Sequence, residues 1–232
     1  GVGVDGIASR VQLMAIRAVP DGDERDKDVA NAIRYAADNG AHIINMSFGK
    51  GWSPWKKYVD DAIRYADSKG VLMVHGAGND GENVDSNANF PTPAFTAGGR
   101  ARNWIEVGAT SWHRGDSLVA PFSNYGKSSV DIFAPGVDIY STIPGGKFKK
   151  ESGTSMASPV VAGVAAMLMS YFPNLTAQDV KRILLETATR MPDRMVIAPG
   201  DGKNTVKFGD LSATGGIVNA HAAVKAAMAL QP

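Results

Sequence analysis

The chain has 232 residues, of which 44% are apolar, so it is long enough to bury a sizeable core within one domain. Lys and Arg number 24 against 23 for Asp and Glu, so no summed charge steers the chain towards nucleic acid or an anionic membrane surface. The absence of cysteine excludes disulfides and thiolate metal sites, and no apolar stretch is as long as a membrane span.

Strand-like and helix-like patterns alternate along the chain, which predicts an open, mostly parallel α/β sheet with helices on both faces. In the first part of the chain we predict a strand over 11–19, a helix from Lys27 with Asp26 as its N-cap, a strand over 43–48, a helix opened by Ser53 and Pro54, and a strand over 71–74.

Residues 80–102 are rich in Asn, Gly, Pro and Asp without an apolar period, which predicts a long surface loop. The later elements are predicted as strands over 104–109 and 130–133, a hairpin of 139–142 with 147–150, and helices over 154–171, 176–188 and 219–230. Thr176 and Asp179 resemble a capping box at the start of the second of these helices.

The predicted helix of small residues opens with the heptapeptide Gly-Thr-Ser-Met-Ala-Ser-Pro at 153–159. A serine at a helix amino terminus lies beside free backbone N–H groups and the positive end of the helix dipole, which favour a developing oxyanion. Gly153 and Ala157 leave room for a peptide carbonyl to approach the Ser155 hydroxyl. An isolated Gly-x-Ser would be an ordinary N-cap, but the whole heptapeptide resembles the nucleophile motif of the subtilisin-like serine proteases.

A second motif, Ala77-Gly78-Asn79, directly follows an apolar strand. By itself it would be a turn whose asparagine tolerates a left-handed conformation. In the subtilisin-like family, an asparagine at this place presents its side-chain amide beside the N–H of the nucleophile. The resemblance therefore implies that Asn79 and the backbone of Ser155 form a two-donor oxyanion hole.

A third motif, Ile-Asn-Met-Ser-Phe-Gly at 44–49, resembles the family strand whose exposed edge binds the substrate backbone in extended form. A peptide added to such an edge gains main-chain hydrogen bonds that do not depend on its own sequence. The resemblance implies that substrate is bound by Ser47, Phe48, Gly49, Gly76, Ala77, Gly78 and Thr154.

The resemblance extends over nearly the whole chain, because further family landmarks follow in the right order at 6–8, 133–136 and 216–220. We therefore interpret residues 1–232 as a single, incomplete subtilisin-like domain. The family implies a secreted or cell-envelope endopeptidase that hydrolyses polypeptides through an acyl-enzyme on Ser155 and requires no cofactor.

Acyl transfer by serine needs a base within hydrogen-bond reach and an acid that orients the base. In the family, the Asp and His motifs precede the serine, and neither motif is present here. We therefore expect a fragment, truncated on its amino-terminal side and inactive by itself. None of His42, His75, His113 and His221 is favoured as a substitute base.

In the family, the strand that bears the catalytic Asp lies between the counterparts of residues 11–19 and 43–48. Its absence predicts unpaired backbone groups and apolar surface at that place. We expect the gap either to close by rearrangement or to be covered by another copy of the chain in a homo-oligomer.

Two rival functions are open. Gly76, Gly78 and Gly81 after an apolar strand satisfy a dinucleotide-binding fingerprint, as in a nicotinamide-dependent oxidoreductase, but that fold requires a helix to begin there. The other rival is a protease-like fold kept as a non-catalytic binding module. The presence of both Ser155 and Asn79 argues against it, because binding requires neither residue.

The loop after the second motif contains Asp80, Glu82 and Asp85. Their carboxylates could supply oxygen ligands to a structural calcium ion, which the family often uses for stability. Acidic residues in surface loops are more often simply solvated, so calcium is an option that the sequence leaves open.

Overall fold

The computed structural model describes residues 3–113 and 115–230 of the chain. Its helices are α1 (Asp26–Asp38), α2 (Lys56–Ser68), α3 (Thr154–Tyr171), α4 (Ala177–Glu186) and α5 (Ala220–Met228). Its strands are β1 (Ile43–Met46), β2 (Leu72–Gly76), β3 (Trp104–Thr110), β4 (Ile132–Pro135), β5 (Ile139–Ile143), β6 (Lys147–Glu151), β7 (Thr189–Arg190), β8 (Met195–Ile197), β9 (Thr205–Lys207) and β10 (Gly216–Ile217).

A six-stranded sheet in the order β1-β2-β3-β4-β10-β7 organises the fold. Strands β1 to β4 and β10 pair in parallel, and β7 runs antiparallel to β10. The predicted hairpin is present as β5 and β6, and β8 and β9 form a second hairpin. The predicted mostly parallel α/β architecture is therefore confirmed.

Helices cover both faces of the sheet because the side chains of its strands alternate. On β2, Leu72 and Val74 belong to the apolar cluster formed with α3, α4 and α5. Met73, between them, belongs to the opposite cluster, formed with α1 and α2. Strands buried on both faces read as continuous apolar runs, which is why the sequence identified them.

Helix α3 carries the heptapeptide at its amino end. By length and composition its 18 residues could also cross a membrane, which corrects the expectation that no apolar stretch is that long. It packs along β1 to β4, however, and contributes Ala157, Val161 and Leu168 to the core. The amino end of α3 is thus held beside the carboxyl ends of the strands, where ligands of open α/β sheets bind.

The predicted strand over 11–19 is wrong. No hydrogen-bonded strand forms there, and the side chain of Leu13 is 91% exposed. The reason is that no strand lies between these residues and β1, which pairs only with β2 in the part of the chain that the structure describes. A cleft lies between the outer side of β1 and residues 16–19, so their backbone groups have no partner strand.

The helix starts differ in how well their caps were predicted. The capping box of α4 is present, with Thr176 Oγ1 accepting from the Asp179 N–H at 3.1 Å. Asp26 is not an N-cap but the first residue of α1, because its carboxylate pairs with Lys50 at 2.8 Å and accepts the Trp55 N–H at 2.7 Å. Helix α2 begins at Lys56, beyond the turn that contains Ser53 and Pro54.

Candidate active site

A cleft of about 730 Å³ opens where β1 and β2 end and α3 begins. Eight of the nine residues predicted for catalysis or substrate binding line this cleft: Ser47, Phe48, Gly49, Gly76, Gly78, Asn79, Thr154 and Ser155. They come from segments far apart in the sequence, so the parallel sheet brings the three motifs together at one edge.

Ser155 is the second residue of α3 and is half-buried in the cleft. Its hydroxyl donates to the backbone carbonyl of Ser47 at 3.2 Å, and the Ser47 hydroxyl donates to the Ser155 carbonyl at 2.9 Å. Asn45 supports this contact, because its Nδ2 donates to Ser47 Oγ at 2.9 Å. The start of α3 and the end of β1 are therefore tied together at the serine.

The orientation of Asn79 follows from its contacts with Thr154. The backbone N–H of Thr154 can only donate, and it lies 2.8 Å from Asn79 Oδ1. The Thr154 hydroxyl donates to the same oxygen at 3.1 Å and accepts the Gly78 N–H at 3.1 Å. Among the described residues, Asn79 Nδ2 forms no hydrogen bond. An amide donor is thus left available in the cleft next to the residue that precedes Ser155.

Close packing explains the glycines of the cleft wall. A Cβ at Gly76 would lie 3.0 Å from the Thr154 carbonyl oxygen, and a Cβ at Gly49 would lie 2.4 Å from Asn89 Nδ2. Ala77 is the one predicted residue that does not line the cleft. It is fully buried in a different apolar cluster, and its N–H donates to the Val107 carbonyl at 3.0 Å.

Several cleft residues were not found by sequence reasoning. Asn89 lies against Gly49, and its Nδ2 donates to the Gly76 carbonyl at 3.4 Å. Glu24 Oε1 accepts the Gly49 N–H at 3.2 Å, and burial, aided by the hydrogen bond that the Asp23 carboxylate accepts from it, raises the Glu24 pKa. Both lie in loops without an apolar period, so only their polar character could have drawn attention to them.

The described part of the cleft contains no histidine that could act as a base for Ser155. All four histidines are described, and none lines the cleft. His42, His113 and His221 are exposed, and His75 is buried behind Phe48, whose carbonyl lies 2.7 Å from its Nε2. The acceptor that the Ser155 hydroxyl does contact is a main-chain carbonyl, which cannot take up a proton at neutral pH.

The predicted gap beside β1 stays open. Residues 16–19 line the cleft across from Asn45 and Ser47, and the rearrangement expected to close the gap does not occur in this structure. The space between them belongs to the same cleft as Ser155. A further polypeptide segment could therefore reach Ser155 from this direction.

The dinucleotide alternative raised by the sequence is not supported by the geometry. Described residues 77–103 contain no helix, so the glycines after β2 have no helix dipole with which to bind a dinucleotide phosphate. Within the described residues, no three acidic or histidine side chains converge on a possible metal site. Asp85, for example, accepts the Ser128 N–H at 3.1 Å instead.

Comparison with known proteins identifies the family. Residues 1–213 match the subtilase family, so the chain belongs to the subtilases, the subtilisin-like serine proteases. It is 39% identical over 190 residues to a thermophilic serine proteinase of Bacillus sp. strain AK1, covering 82% of this chain and 43% of that protein. It is 35% identical over 225 residues to alkaline elastase YaB of Bacillus sp. strain YaB, covering 97% of this chain and 51% of that protein. The chain thus spans about half the length of these relatives.

Solved structures show the same likeness. The patellamide maturation protease PatA superposes with a TM-score of 0.75 at 30% identity, covering 97% of this chain and 78% of that structure. A protease from Pseudoalteromonas arctica superposes with a TM-score of 0.75 at 29% identity, covering 97% of this chain and 66% of that structure. The fold of this chain is therefore the subtilisin-like protease fold.

Proposed function

We propose that this chain is the nucleophile-bearing part of a serine endopeptidase. Ser155 Oγ attacks the carbonyl carbon of a peptide bond while a base takes its proton, and the collapse of the adduct releases the amine and leaves an acyl-enzyme. Water then cleaves the ester and regenerates the serine. The negative charge on the former carbonyl oxygen is stabilised by Asn79 Nδ2 and the Ser155 N–H.

One observation carries this proposal. Asn79 Oδ1 accepts the N–H of Thr154, the residue directly before Ser155, at 2.8 Å. This bond turns the opposite end of the side-chain amide, Nδ2, into the cleft as a donor. In the first turn of α3, the Ser155 N–H forms no hydrogen bond among the described residues, whereas the N–H groups of Met156 and Ala157 donate to the Gly153 carbonyl. A donor pair beside a half-buried serine hydroxyl is the arrangement that acyl transfer requires.

The base and the acid that orients it come, in this proposal, from a polypeptide segment outside this chain. It would approach through the open space between β1 and residues 16–19. We call the protein that contains both this segment and the present chain the intact protease. Its substrate is an extended polypeptide, which pairs with the edge at Ser47, Phe48 and Gly49.

A fluorophosphonate probe tests the proposal, because it reacts with a serine hydroxyl only when a base activates it. In the intact protease we expect labelling of Ser155 and cleavage of casein, and Ser155→Ala should abolish both. Ser152→Ala is the matched control, since Ser152 is an exposed serine just before α3, and it should leave both unchanged. The isolated chain should be neither labelled nor active.

Two results would contradict the proposal. Casein cleavage that survives Ser155→Ala would place the reaction elsewhere, and peptide binding without cleavage by the intact protease would favour the non-catalytic binding module.

The family also suggests a location outside the cell or in the cell envelope. Fractionation of the source cells, followed by detection of this chain in each fraction, tests that location.

A further inference from the structure

A buried ionisable pair lies directly behind the cleft. His75 on β2 is fully buried, and its Nδ1 lies 2.7 Å from Oε1 of Glu106 on β3, which is only 5% exposed. The second carboxylate oxygen of Glu106 accepts the indole N–H of Trp104 at 2.7 Å. Both residues stand within otherwise apolar strands, where a polar side chain has an unfavourable desolvation energy unless it is hydrogen-bonded.

The protonation of the outer ring nitrogen follows from its partner. His75 Nε2 lies 2.7 Å from the carbonyl oxygen of Phe48, and a carbonyl can only accept. Nε2 therefore carries a hydrogen, whichever of Nδ1 and Glu106 Oε1 holds the proton between them. In both arrangements the pair has no net charge, which makes its burial tolerable.

The contact with Phe48 lies where the sheet loses its regular pairing. The register of β1 with β2 ends at Met46 opposite His75, and Phe48 lies beyond it. There, the segment Ser47–Gly49 leaves β2 to form the wall of the cleft. The imidazole of His75 contacts the Phe48 carbonyl, which accepts no backbone hydrogen bond within the described residues.

That segment carries the groups that face the reaction. The Ser47 carbonyl accepts the hydroxyl of Ser155 at 3.2 Å, and the N–H of Gly49, bonded to Glu24 at 3.2 Å, belongs to the edge proposed to bind substrate. The hydrogen bond to Phe48 lies between these two groups in the chain. A change in the position of Phe48 would therefore move both of them.

We infer that His75, oriented by Glu106, is a positioning residue that fixes the segment Ser47–Gly49 relative to the nucleophile. Its Nε2–H anchors the Phe48 carbonyl, so the substrate edge is already ordered when the peptide arrives. The inference rests on the proposed function only for the identity of the peptide. The anchoring itself is a property of the chain and can be measured without catalysis.

Three substitutions separate anchoring from general stability. His75→Ala removes the donor to Phe48, whereas His75→Gln supplies an amide N–H that can reach the same carbonyl. Glu106→Gln keeps the anchor, because its amide can donate to Nδ1 and leave the hydrogen on Nε2. Leu184→Ala, a fully buried residue of α4 far along the chain from the cleft, is a control for loss of stability.

Hydrogen exchange of the isolated chain, measured by mass spectrometry on a peptide that spans 45–50, provides the first test. We expect His75→Ala to accelerate exchange there by about tenfold, since one buried hydrogen bond is lost. His75→Gln and Glu106→Gln should stay close to the unmodified chain, and Leu184→Ala should not accelerate this peptide selectively. Equal acceleration by His75→Ala and Leu184→Ala, or none by His75→Ala, would overturn the inference.

Kinetics of the intact protease provide the second test. With a peptide substrate, we expect His75→Ala to raise KM by about tenfold with a smaller fall in kcat, and His75→Gln to restore most of the loss. A change in kcat alone would overturn the positioning role. An intact protease that cleaves no peptide would contradict the proposed function, and the exchange experiment would still decide whether His75 anchors the segment.

Discussion

Asn79 offers a way to separate the oxyanion donor from the architecture that holds it. Its Oδ1 accepts two hydrogen bonds from Thr154, whereas its Nδ2 is the proposed catalytic donor. Asn79→Asp keeps an oxygen facing Thr154 and replaces the donor with a second carboxylate oxygen. Asn79→Ala removes both ends. The pair of variants therefore tests structure and catalysis independently.

The expected loss of stability follows from the burial of Thr154, which is 2% exposed. In Asn79→Ala its N–H has no protein acceptor, and an unsatisfied buried donor lowers the free energy of unfolding by about 1–3 kcal/mol. For a slope of about 2 kcal/mol per molar urea, the unfolding midpoint should fall by about 1 M. The midpoint of Asn79→Asp should not fall, because a carboxylate at the amino end of a helix raises the free energy of unfolding by about 0.3–1 kcal/mol.

Urea denaturation of the isolated chain measures stability, and peptide hydrolysis by the intact protease measures turnover. Loss of one oxyanion donor in a subtilisin, a relative of this chain, lowers turnover by about 10²–10³-fold, and we adopt that relative's value as the expected scale for both variants. An Asn79→Asp protease that retains its turnover would refute the donor role. An Asn79→Ala chain as stable as the unmodified one would refute the orientation of the amide.

Two further predictions concern stability. Thr176→Ala should lower the free energy of unfolding by about 1 kcal/mol through loss of the α4 cap. Hydrogen bonds from Thr176 lower the Asp179 pKa, so the part of this difference that comes from the Thr176 hydroxyl on the carboxylate should be present above about pH 4 and be lost as the pH falls through the folded-state pKa. Asp26→Asn should cost on the order of 3 kcal/mol at pH 7, since it leaves the Lys50 ammonium without its carboxylate. Burial opposes ionisation of Asp26, but Lys50 and the Trp55 N–H outweigh it and lower the Asp26 pKa. The difference in free energy of unfolding between Asp26→Asn and the unmodified chain should therefore shrink below about pH 4. For either variant, a urea midpoint at neutral pH equal to that of the unmodified chain would contradict the prediction.

Much of the fold could be predicted because its signals are local. Helix α4 has its capping box and an apolar stripe, and α3 starts where Gly153 ends a hairpin. The buried strands β2 and β3 are apolar runs with one ionisable residue each. By contrast, β7 and β10 have two residues each, too few to show a period, and form only because β4 provides an edge.

The wrong predictions concern residues whose local structure depends on contacts with residues distant in the sequence. Residues 11–19 have the composition of a strand, but a strand requires a neighbour, and the outer side of β1 faces a cleft. Asp26 has the identity of a cap, but Lys50 and Trp55 draw its carboxylate elsewhere.

The link between His75 and Glu106 joins residues 31 positions apart and depends on the register of two strands. Its one trace in the sequence is a polar residue in each of two apolar runs.

The open side of β1 has a practical consequence. The proposed nucleophile and its proposed oxyanion donors lie on one polypeptide, while proton transfer would depend on a segment that approaches through that opening. Attached to two candidate binding partners, the present chain and such a segment would form the halves of a split reporter. Proteolytic signal would then record the association of the partners.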